Sequence, residues 1–245
     1  MQIIDPERFD AVLFDLDGVV TDTASVHAHA WKKLFDEFLE ARAKARGEPF
    51  VPFDLEEDYR TWVDGKPRYE GVRSFLASRA VELPFGDPAD PPGTGTVCAL
   101  GNIKNEHFNR ILRADGVTVF PTSVDLIRKL RREGIRVAVV SSSKNTPTIL
   151  EVAGLEDLFD LRFDGNEAAR LGLEGKPTPD TYLKAAELLG VPAERAVVVE
   201  DAISGVEAGR AGHFGLVVGV DRHGEAQALK EHGADVVVSD LGELD

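Results

Sequence analysis

The chain has 245 residues, a single cysteine, Cys98, and no apolar run near the ~18 residues of a membrane span. Its 43 acidic residues outnumber 28 basic ones, which gives a formal net charge of -15. This composition excludes an internal disulfide and argues against nucleic acid or an anionic membrane as a partner. We therefore expect a cytoplasmic protein of one large or two small domains.

Short apolar runs recur along the chain, with helical stretches between them. Runs without polar alternation predict strands that are buried on both faces of a parallel α/β sheet. The predicted strands are Ala11–Phe14, Arg136–Val140, 196–199, Leu216–Val220 and 235–238, with 158–163 as a weaker candidate. The predicted helices include 124–132, 179–189 and 202–210. Functional residues of such a sheet lie beyond the carboxyl ends of its strands.

The alternation is interrupted between residues 24 and 116. A Pro/Gly-rich loop, 84–96, separates two helical parts of this segment. The first part carries an apolar stripe at helical spacing, which predicts a packing core: Trp31, Leu34, Phe35, Phe38 and Leu39. We interpret residues 24–116 as an α-helical cap inserted into an α/β core of residues 1–23 and 117–245.

Three aspartates crowd into the stretch FDLDGVVTDT, directly after the first strand. The two-residue period of a strand points Asp15 and Asp17 the same way, and Gly18 permits a sharp turn beside them. These residues fit either a surface turn or a site that holds a metal or a nucleophile. Asp22 lies farther along, where it forms the turn or starts the next helix.

Other strand ends add polar groups to this edge of the sheet. Ser141 follows one strand, where its hydroxyl either holds a phosphate oxygen or caps the next helix. Lys176, in GKPTPD, is either a site residue or a solvated surface lysine. Glu200 and Asp201 are adjacent carboxylates that repel each other unless a cation stabilises them, which favours a hard metal such as Mg²⁺.

The ordered set DLDGVVTDT, SSSKN, GKPTPD and VVEDA resembles the four motifs of the haloacid dehalogenase superfamily of phosphotransferases. The resemblance covers nearly the whole chain, and within the superfamily it points to members with a helical cap after the first motif. It implies a doubly wound, Rossmann-like parallel-sheet core, an aspartyl-phosphate intermediate and Mg²⁺ as the cofactor.

The resemblance also assigns roles within the core. Asp15 resembles the nucleophile, and Asp17 resembles the acid/base that protonates the leaving oxygen. Ser141 and Lys176 resemble the groups that hold the transferring phosphoryl group. The implied metal ligands are Asp15, the main-chain carbonyl of Asp17, Glu200 and Asp201.

The helical insert resembles the β-phosphoglucomutase-like subgroup. Thr23 and His27 are similar to residues that orient the acid/base aspartate, although a helix cap and a packed histidine are the plain alternatives. The resemblance implies that six residues bind the sugar and its distal phosphate, which is the phosphate that is not being transferred: Gly65, Lys66, Arg68, Ser143, Lys144 and Asn145. One position departs from the subgroup, because Asp64 stands where a lysine precedes the glycine, and Lys66 is the nearest substitute.

Three functions follow as hypotheses. The first is a β-phosphoglucomutase that converts β-glucose 1-phosphate to glucose 6-phosphate through the 1,6-bisphosphate. The second is a phosphatase of small sugar phosphates, which Asp64 favours most. The third, a signalling module with a phosphorylated aspartate, is disfavoured by Asp17 and Arg68. The expected partner is a small phosphorylated sugar, and the expected state is a monomer or weak dimer.

Overall fold

The computed structural model describes residues 3–63, 66–222 and 224–244. Its internal contacts divide the chain into two units, one made of Met1–Thr23 with Val117–Asp245 and one of Ala24–Gly116. We call them the core unit and the insert unit. The core unit is α/β and the insert unit is helical, as the sequence predicts.

Six parallel strands form the sheet of the core unit, in the order β5-β4-β1-β6-β7-β8. A separate antiparallel pair, β2 with β3, lies where the chain leaves and re-enters this unit. The strands are β1 Ala11–Phe14, β2 Thr21–Asp22, β3 Thr118–Val119, β4 Arg136–Val140, β5 Leu161–Phe163, β6 Ala196–Glu200, β7 Leu216–Val220 and β8 Val236–Val238. The order reverses direction beside β1, which is the arrangement of a doubly wound sheet.

The described part of the chain also contains α-helices, numbered here in chain order. They are α1 Ala24–Arg46, α2 Arg68–Ser78, α3 Val97–Asp115, α4 Pro121–Arg132, α5 Thr146–Ala153, α6 Gly165–Leu171, α7 Asp180–Leu189, α8 Ile203–Ala211 and α9 Ala226–Glu231. No helix among the described residues is long and apolar enough to cross a membrane.

Alternate residues of β1 face opposite sides of the sheet. Ala11 and Leu13 join a buried cluster with residues of α7, α8 and α9, and all four residues of β1 are fully buried. Burying a Leu or Phe side chain contributes roughly 1.5–3 kcal/mol. This packing holds β1 rigidly between β4 and β6, so the loop after β1 starts from a fixed point.

The insert unit is built around the predicted aromatic stripe of α1. Trp31, Leu34 and Phe35 are buried, and the ring of Phe35 lies 4.0 Å from that of Phe75, centroid to centroid. The side chain of Thr96 caps α3 by accepting a hydrogen bond of 3.0 Å from the Ala99 N–H. The stripe is therefore packing core, as predicted.

Several local predictions need correction. Asp22 neither forms a turn nor starts a helix, because it pairs with Thr118 in the β2–β3 ladder. The weaker strand candidate is confirmed only over its last three residues, as β5. Helix α7 begins at Asp180, one residue later than predicted. Helices α5, α6 and α9 span only 8, 7 and 6 residues, which is too short for a clear helical period, and the sequence analysis did not predict them.

Candidate active site

Asp15 lies immediately beyond β1, at the centre of the sheet. In the parallel register Phe14 is level with Val139 on one side and Val199 on the other, so Asp15 falls beside the ends of β4 and β6. Its N–H donates to the Val199 carbonyl at 2.9 Å. The side chain is buried, with 10 % of its surface exposed. A carboxylate is thus fixed at the carboxyl edge of a sheet by strand pairing on both sides.

The ammonium group of Lys176 reaches into this edge from the loop before α7. Its Nζ donates to Asp15 Oδ1, to Glu200 Oε1 at 2.5 Å and to the Val140 carbonyl at 3.3 Å. The Lys176 side chain is only 8 % exposed. The alternative of a solvated surface lysine is therefore wrong.

Glu200 ends β6 and is almost completely buried, with 1 % of its surface exposed. Besides Lys176, its Oε1 accepts a hydrogen bond of 2.9 Å from the Tyr182 hydroxyl, and its Oε2 accepts one of 3.2 Å from the Ala202 N–H. A Cβ on Gly205 would lie 1.8 Å from Glu200 Oε1, so the first turn of α8 can approach only because this residue is glycine. The carboxylate is held from three directions.

Asp201 completes an acidic cluster with Asp15 and Glu200. One carboxylate oxygen from each lies within 4.8 Å of the others. Three convergent carboxylates in a buried position are a suitable donor set for a hard divalent cation. The side chain of Asp17 is not part of this cluster. The predicted metal ligand from Asp17 is its main-chain carbonyl, which stays a prediction.

The pKa values of this cluster reflect burial and mutual repulsion. Burial, reinforced by Glu200 and Asp17, raises the pKa of Asp15 to about 8 despite the opposing effect of Lys176. Burial and the same neighbouring carboxylates raise the pKa of Asp201 well above its usual range. Burial lowers the pKa of Lys176, but Asp15 and Glu200 outweigh it and hold that pKa well above the ordinary value. Lys176 is therefore cationic, and a further cation is needed to keep Asp15 and Asp201 ionised at neutral pH.

Asp17 lies in the turn after β1, where Thr23 Oγ1 donates a hydrogen bond to its Oδ1. The turn is closed by the Gly18 N–H, which donates to the Thr21 carbonyl at 2.7 Å. Gly18 has a φ of 78°, and a Cβ there would lie 1.8 Å from Asp201 Oδ2. Only glycine combines this backbone conformation with so close an approach.

Ser141 lies directly after β4 and is buried. Its hydroxyl oxygen accepts a hydrogen bond of 3.1 Å from the Ser143 N–H, and the Ser143 hydroxyl accepts one of 3.1 Å from the Asn145 N–H. The Lys144 side chain is exposed, and its carbonyl accepts from Asn166 Nδ2 at 3.0 Å. These four residues form one ordered loop at the carboxyl end of β4.

In the insert unit, His27 is paired with a lysine that the sequence analysis did not single out. Lys104 Nζ lies 2.6 Å from His27 Nδ1, and the imidazole stacks on Phe108 at 4.3 Å between ring centroids. Because an ammonium can only donate, Nδ1 must be the acceptor and the imidazole proton must be on Nε2. Burial, with Lys104 and Arg68, lowers the pKa of His27 well below its usual value. His27 is a neutral donor through Nε2.

Arg68 begins α2, and its Nη2 donates to Asn105 Oδ1 at 2.8 Å. Lys66 is exposed, and its Nζ donates to Ser74 Oγ at 2.8 Å and to the Thr61 carbonyl at 3.2 Å. Gly65 and Asp64, which also entered the predictions, lie outside the described residues.

Three side chains in these two clusters were missed by the sequence analysis: Tyr182, Lys104 and Asn105. Tyr182 lies six residues after Lys176, within the predicted helix 179–189. An aromatic residue in such a helix usually packs in the core, so nothing in the sequence marked its hydroxyl as part of the site. Lys104 stands four residues before Phe108 and three after Gly101 in a helix with several buried apolar positions. A lysine on the apolar face of an amphipathic helix is the signal that could have identified it.

Comparisons with known proteins identify the family to which the chain belongs. A family model described as haloacid dehalogenase-like hydrolase matches residues 9–213. A β-phosphoglucomutase of Mycobacterium tuberculosis is 53% identical over 242 residues, which are 98% of this chain and 92% of that protein. The chain belongs to the haloacid dehalogenase superfamily, as its four motifs indicated.

Two solved structures are similar over most of their length. A β-phosphoglucomutase from Clostridium difficile has a TM-score of 0.72 at 25% identity, covering 97% of this chain and 93% of that one. A haloacid dehalogenase family hydrolase from Deinococcus radiodurans, with bound phosphate and sodium, has a TM-score of 0.70 at 31% identity over the same shares. The neighbours therefore include both a mutase and a hydrolase.

Proposed function

We propose that this enzyme is a Mg²⁺-dependent β-phosphoglucomutase that transfers a phosphoryl group through Asp15. The observation that carries the proposal is the placement of the Asp15 carboxylate in contact with Lys176 and within 4.8 Å of the ligand oxygens of Glu200 and Asp201. An anionic nucleophile can approach an anionic phosphate only where cations offset their repulsion. The 53% identity with a β-phosphoglucomutase supports the choice of a mutase within the superfamily.

In the first step an Asp15 carboxylate oxygen attacks phosphorus and the bond between phosphorus and the departing sugar oxygen breaks. Asp17 donates a proton to that oxygen, so the sugar leaves as a neutral hydroxyl. Lys176 neutralises charge on the phosphoryl group, and the Ser141 hydroxyl donates a hydrogen bond to a phosphoryl oxygen. Ser141 is available for this because its oxygen already accepts from the Ser143 N–H and its own proton can turn outward.

In the second step a hydroxyl of the sugar attacks the phosphorylated Asp15. Asp17, now a carboxylate, removes the proton of that hydroxyl as the oxygen–phosphorus bond forms and the Asp15 acyl phosphate bond breaks. Transfer to the 6-hydroxyl of β-glucose 1-phosphate forms the 1,6-bisphosphate. Return of the 1-phosphoryl group to Asp15 then releases glucose 6-phosphate and restores the phosphoenzyme.

The acidic cluster fits Mg²⁺, because it offers three convergent carboxylate oxygens, and the raised pKa values of Asp15 and Asp201 reflect the negative charge gathered there. Asp15, Glu200, Asp201 and the Asp17 carbonyl would hold the ion, which supplies charge neutralisation for phosphoryl transfer. Tyr182 and the Ala202 N–H orient the Glu200 carboxylate toward this task.

The mutase hypothesis also needs a grip on the phosphate that is not reacting. We propose this role for the four residues for which the resemblance implies it: Arg68, Ser143, Lys144 and Asn145. Lys66 is a weaker candidate than the sequence suggested, since its ammonium already donates to Ser74 and Thr61. His27, kept neutral, and Thr23 serve to orient Asp17, and Gly65 is assigned to sugar binding.

The substrate is a small phosphorylated sugar, and its charge keeps it inside the cell, so we place the reaction in the cytoplasm. We propose that the protein acts as a monomer or weak dimer. Neither proposal changes the chemistry assigned to the core unit.

A second candidate is a phosphatase of small sugar phosphates with the same nucleophile. The similarity to a hydrolase that binds phosphate favours it, because a hydrolase lets water attack the phosphorylated aspartate. The two functions differ only in the acceptor of the second step.

One assay separates them. Purified protein with Mg²⁺ is given β-glucose 1-phosphate and a trace of the 1,6-bisphosphate, and glucose 6-phosphate and free phosphate are followed together. We expect glucose 6-phosphate to form much faster than free phosphate. Free phosphate as the main product would replace the mutase with the phosphatase. Absence of both products, with the Asp15→Asn variant as the blank, would refute phosphotransfer to this sugar.

A further inference from the structure

Arg222, in the loop after β7, makes an unusual set of contacts for a half-buried arginine. Its Nε donates to the Gly18 carbonyl at 2.7 Å and its Nη1 to the Ser239 carbonyl at 3.3 Å. Its guanidinium carbon lies 3.8 Å from the centre of the Phe120 ring. Nη2 is buried without a hydrogen-bond partner among the described residues. A buried donor without a partner is uncommon in folded proteins and calls for an explanation.

The carbonyl that Arg222 holds belongs to the turn that carries Asp17. Gly18 is fixed at both of its peptide units: its N–H donates to the Thr21 carbonyl, and its own carbonyl accepts from Arg222. The first of these peptide units includes the carbonyl of Asp17. A Cβ on Gly18 would overlap Asp201 Oδ2, so the turn lies directly against the acidic cluster.

Arg222 also contacts the second segment that joins the core unit to the insert. Phe120, under the guanidinium, follows β3, and its N–H donates to the Val20 carbonyl at 3.0 Å. Stacking on a ring while donating from Nε requires a planar guanidinium, which an ammonium cannot replace. One side chain therefore ties the Gly18 turn to the start of α4.

We propose that Arg222 is a positioning residue for Asp17. It holds the Gly18 turn so that the Asp17 side chain and carbonyl keep the placement that proton transfer requires. This inference rests on the proposed function for its catalytic consequence, while the hold on the turn does not depend on it. Misplacing a catalytic group by about 1 Å costs about 100-fold in rate.

The experiment compares Arg222→Ala and Arg222→Lys with a matched control, Arg131→Ala. Arg131 Nη1 also donates to main-chain carbonyls, those of Asp157 at 2.8 Å and Leu158 at 3.2 Å, but Arg131 has no role in the proposed site. Three quantities are measured: kcat and KM, the rescue of kcat by millimolar guanidinium chloride, and amide hydrogen exchange in the peptide that contains residues 16–21.

For Arg222→Ala we expect kcat to fall about 30- to 100-fold with KM changed less than threefold. Guanidinium should restore kcat several-fold, and sodium chloride at equal concentration should not. Arg222→Lys should stay close to Arg222→Ala in kcat because a lysine cannot form the same contacts. Exchange at residues 16–21 should rise at least about tenfold in both variants, and Arg131→Ala should resemble the wild type in all three measurements.

Unchanged exchange in the Gly18 turn would overturn the inference whatever the activity. The inference would also be overturned if kcat fell without rescue by guanidinium and fell equally in Arg131→Ala. Arg222 would then contribute only to general stability. Should Arg222→Ala fail to fold, Arg222→Lys carries the same comparison. Faster exchange in a protein whose wild type transfers no phosphoryl group would refute the proposed function and leave the hold on the turn intact.

Discussion

The core unit and the insert unit each bury a cluster of ionisable groups, and the two clusters have opposite character. In the core unit, the carboxylates of Asp15, Glu200 and Asp201 converge around one lysine, Lys176. In the insert unit, Lys104 meets a histidine and lies over the rings of Trp31 and Phe108, at 4.9 and 5.1 Å from their centres. One cluster is rich in acceptors and the other in donors.

Burial acts on the two clusters in the same sense, since it favours the neutral form of a group. It raises the pKa of Asp15 and lowers that of His27. The consequences differ. In the proposed mechanism a neutral Asp15 cannot attack phosphorus, so the core cluster requires a cation before it can react, whereas a neutral His27 can donate a hydrogen bond from Nε2. The comparison indicates that the core cluster depends on a bound cation, whereas the protonation state of His27 in the insert cluster is set by burial and by Lys104.

The largest expected difference between the two clusters comes from replacing the proposed nucleophile of the core cluster. Asp15→Asn should lower turnover by roughly 10³-fold or more, because an amide oxygen does not form the acyl phosphate. The fold should survive, since the change removes a buried carboxylate without changing its shape. Coupled assays and circular dichroism measure the two effects. Turnover within tenfold of the wild type would contradict the assignment of Asp15.

A more selective change tests the support of the cation site. Tyr182→Phe removes the hydroxyl that donates to Glu200 Oε1 at 2.9 Å and keeps the ring in the core. Affinity for Mn²⁺, used as a spectroscopic probe in place of Mg²⁺, should fall about tenfold. Titration followed by electron paramagnetic resonance measures it. Tyr69→Phe, which loses a hydroxyl bonded to Asn102 at 3.1 Å, is the matched control and should bind Mn²⁺ normally.

The insert cluster is tested by Lys104→Met, which preserves length and contact with the aromatic rings. Without the ammonium, the pKa of His27 should rise toward its usual value, because one of the causes that lower it is lost. We expect kcat/KM for the sugar phosphate to fall about tenfold. Nuclear magnetic resonance titration of His27 measures the first effect. Lys33→Met, at an exposed position of α1, is the control, and equal titration curves for the two variants would refute the coupling.

The smallest expected effect is on stability against pH in the absence of metal. The folded-state pKa of Asp15 is raised from 3.8 to about 8, so the stability it contributes is complete below its unfolded pKa and is lost as pH rises toward 8. Between pH 5.5 and 8.5 in EDTA, the Tm of both proteins is measured. The decrease in Tm should be about 5 °C larger for the wild type than for Asp15→Asn. Saturating Mg²⁺ should reduce this difference, because it stabilises the ionised form. Parallel Tm curves for the two proteins would exclude Asp15 as the source.

The core unit was largely predictable from sequence because its strands are uninterrupted apolar runs. Strand ends of a parallel sheet meet at one edge, so Asp15, Ser141 and Glu200 could be placed together before any coordinates were known. The motifs also identified Lys176, which no periodicity places near Asp15. What could not be predicted is the supporting layer. The Tyr182 hydroxyl and the Arg222 guanidinium form hydrogen bonds of 2.9 and 2.7 Å to residues that are distant in sequence, Glu200 and Gly18.

The insert unit was less predictable for a physical reason. Its helices present one apolar face each, and a helical period does not say which residues of two helices meet. Lys104 is 77 residues from His27, and Asn105 is 37 residues from Arg68. The α1 stripe correctly indicated a packing core, but the donors placed along its edge depend on the relative rotation of α1, α2 and α3.

The position of β1 at the centre of the sheet has a consequence for how the polypeptide is made. Strand β1 is synthesised well before its two neighbours, β4 and β6, which begin at residues 136 and 196. A nascent chain therefore carries an apolar strand without partners until β4 and β6 have been synthesised, while the insert unit can complete its own core earlier. Glu200 and Asp201 emerge still later than β4. The acidic cluster is thus complete only after residue 201 has been synthesised, and a chain stopped before residue 200 would have Asp15 without Glu200 and Asp201 beside it.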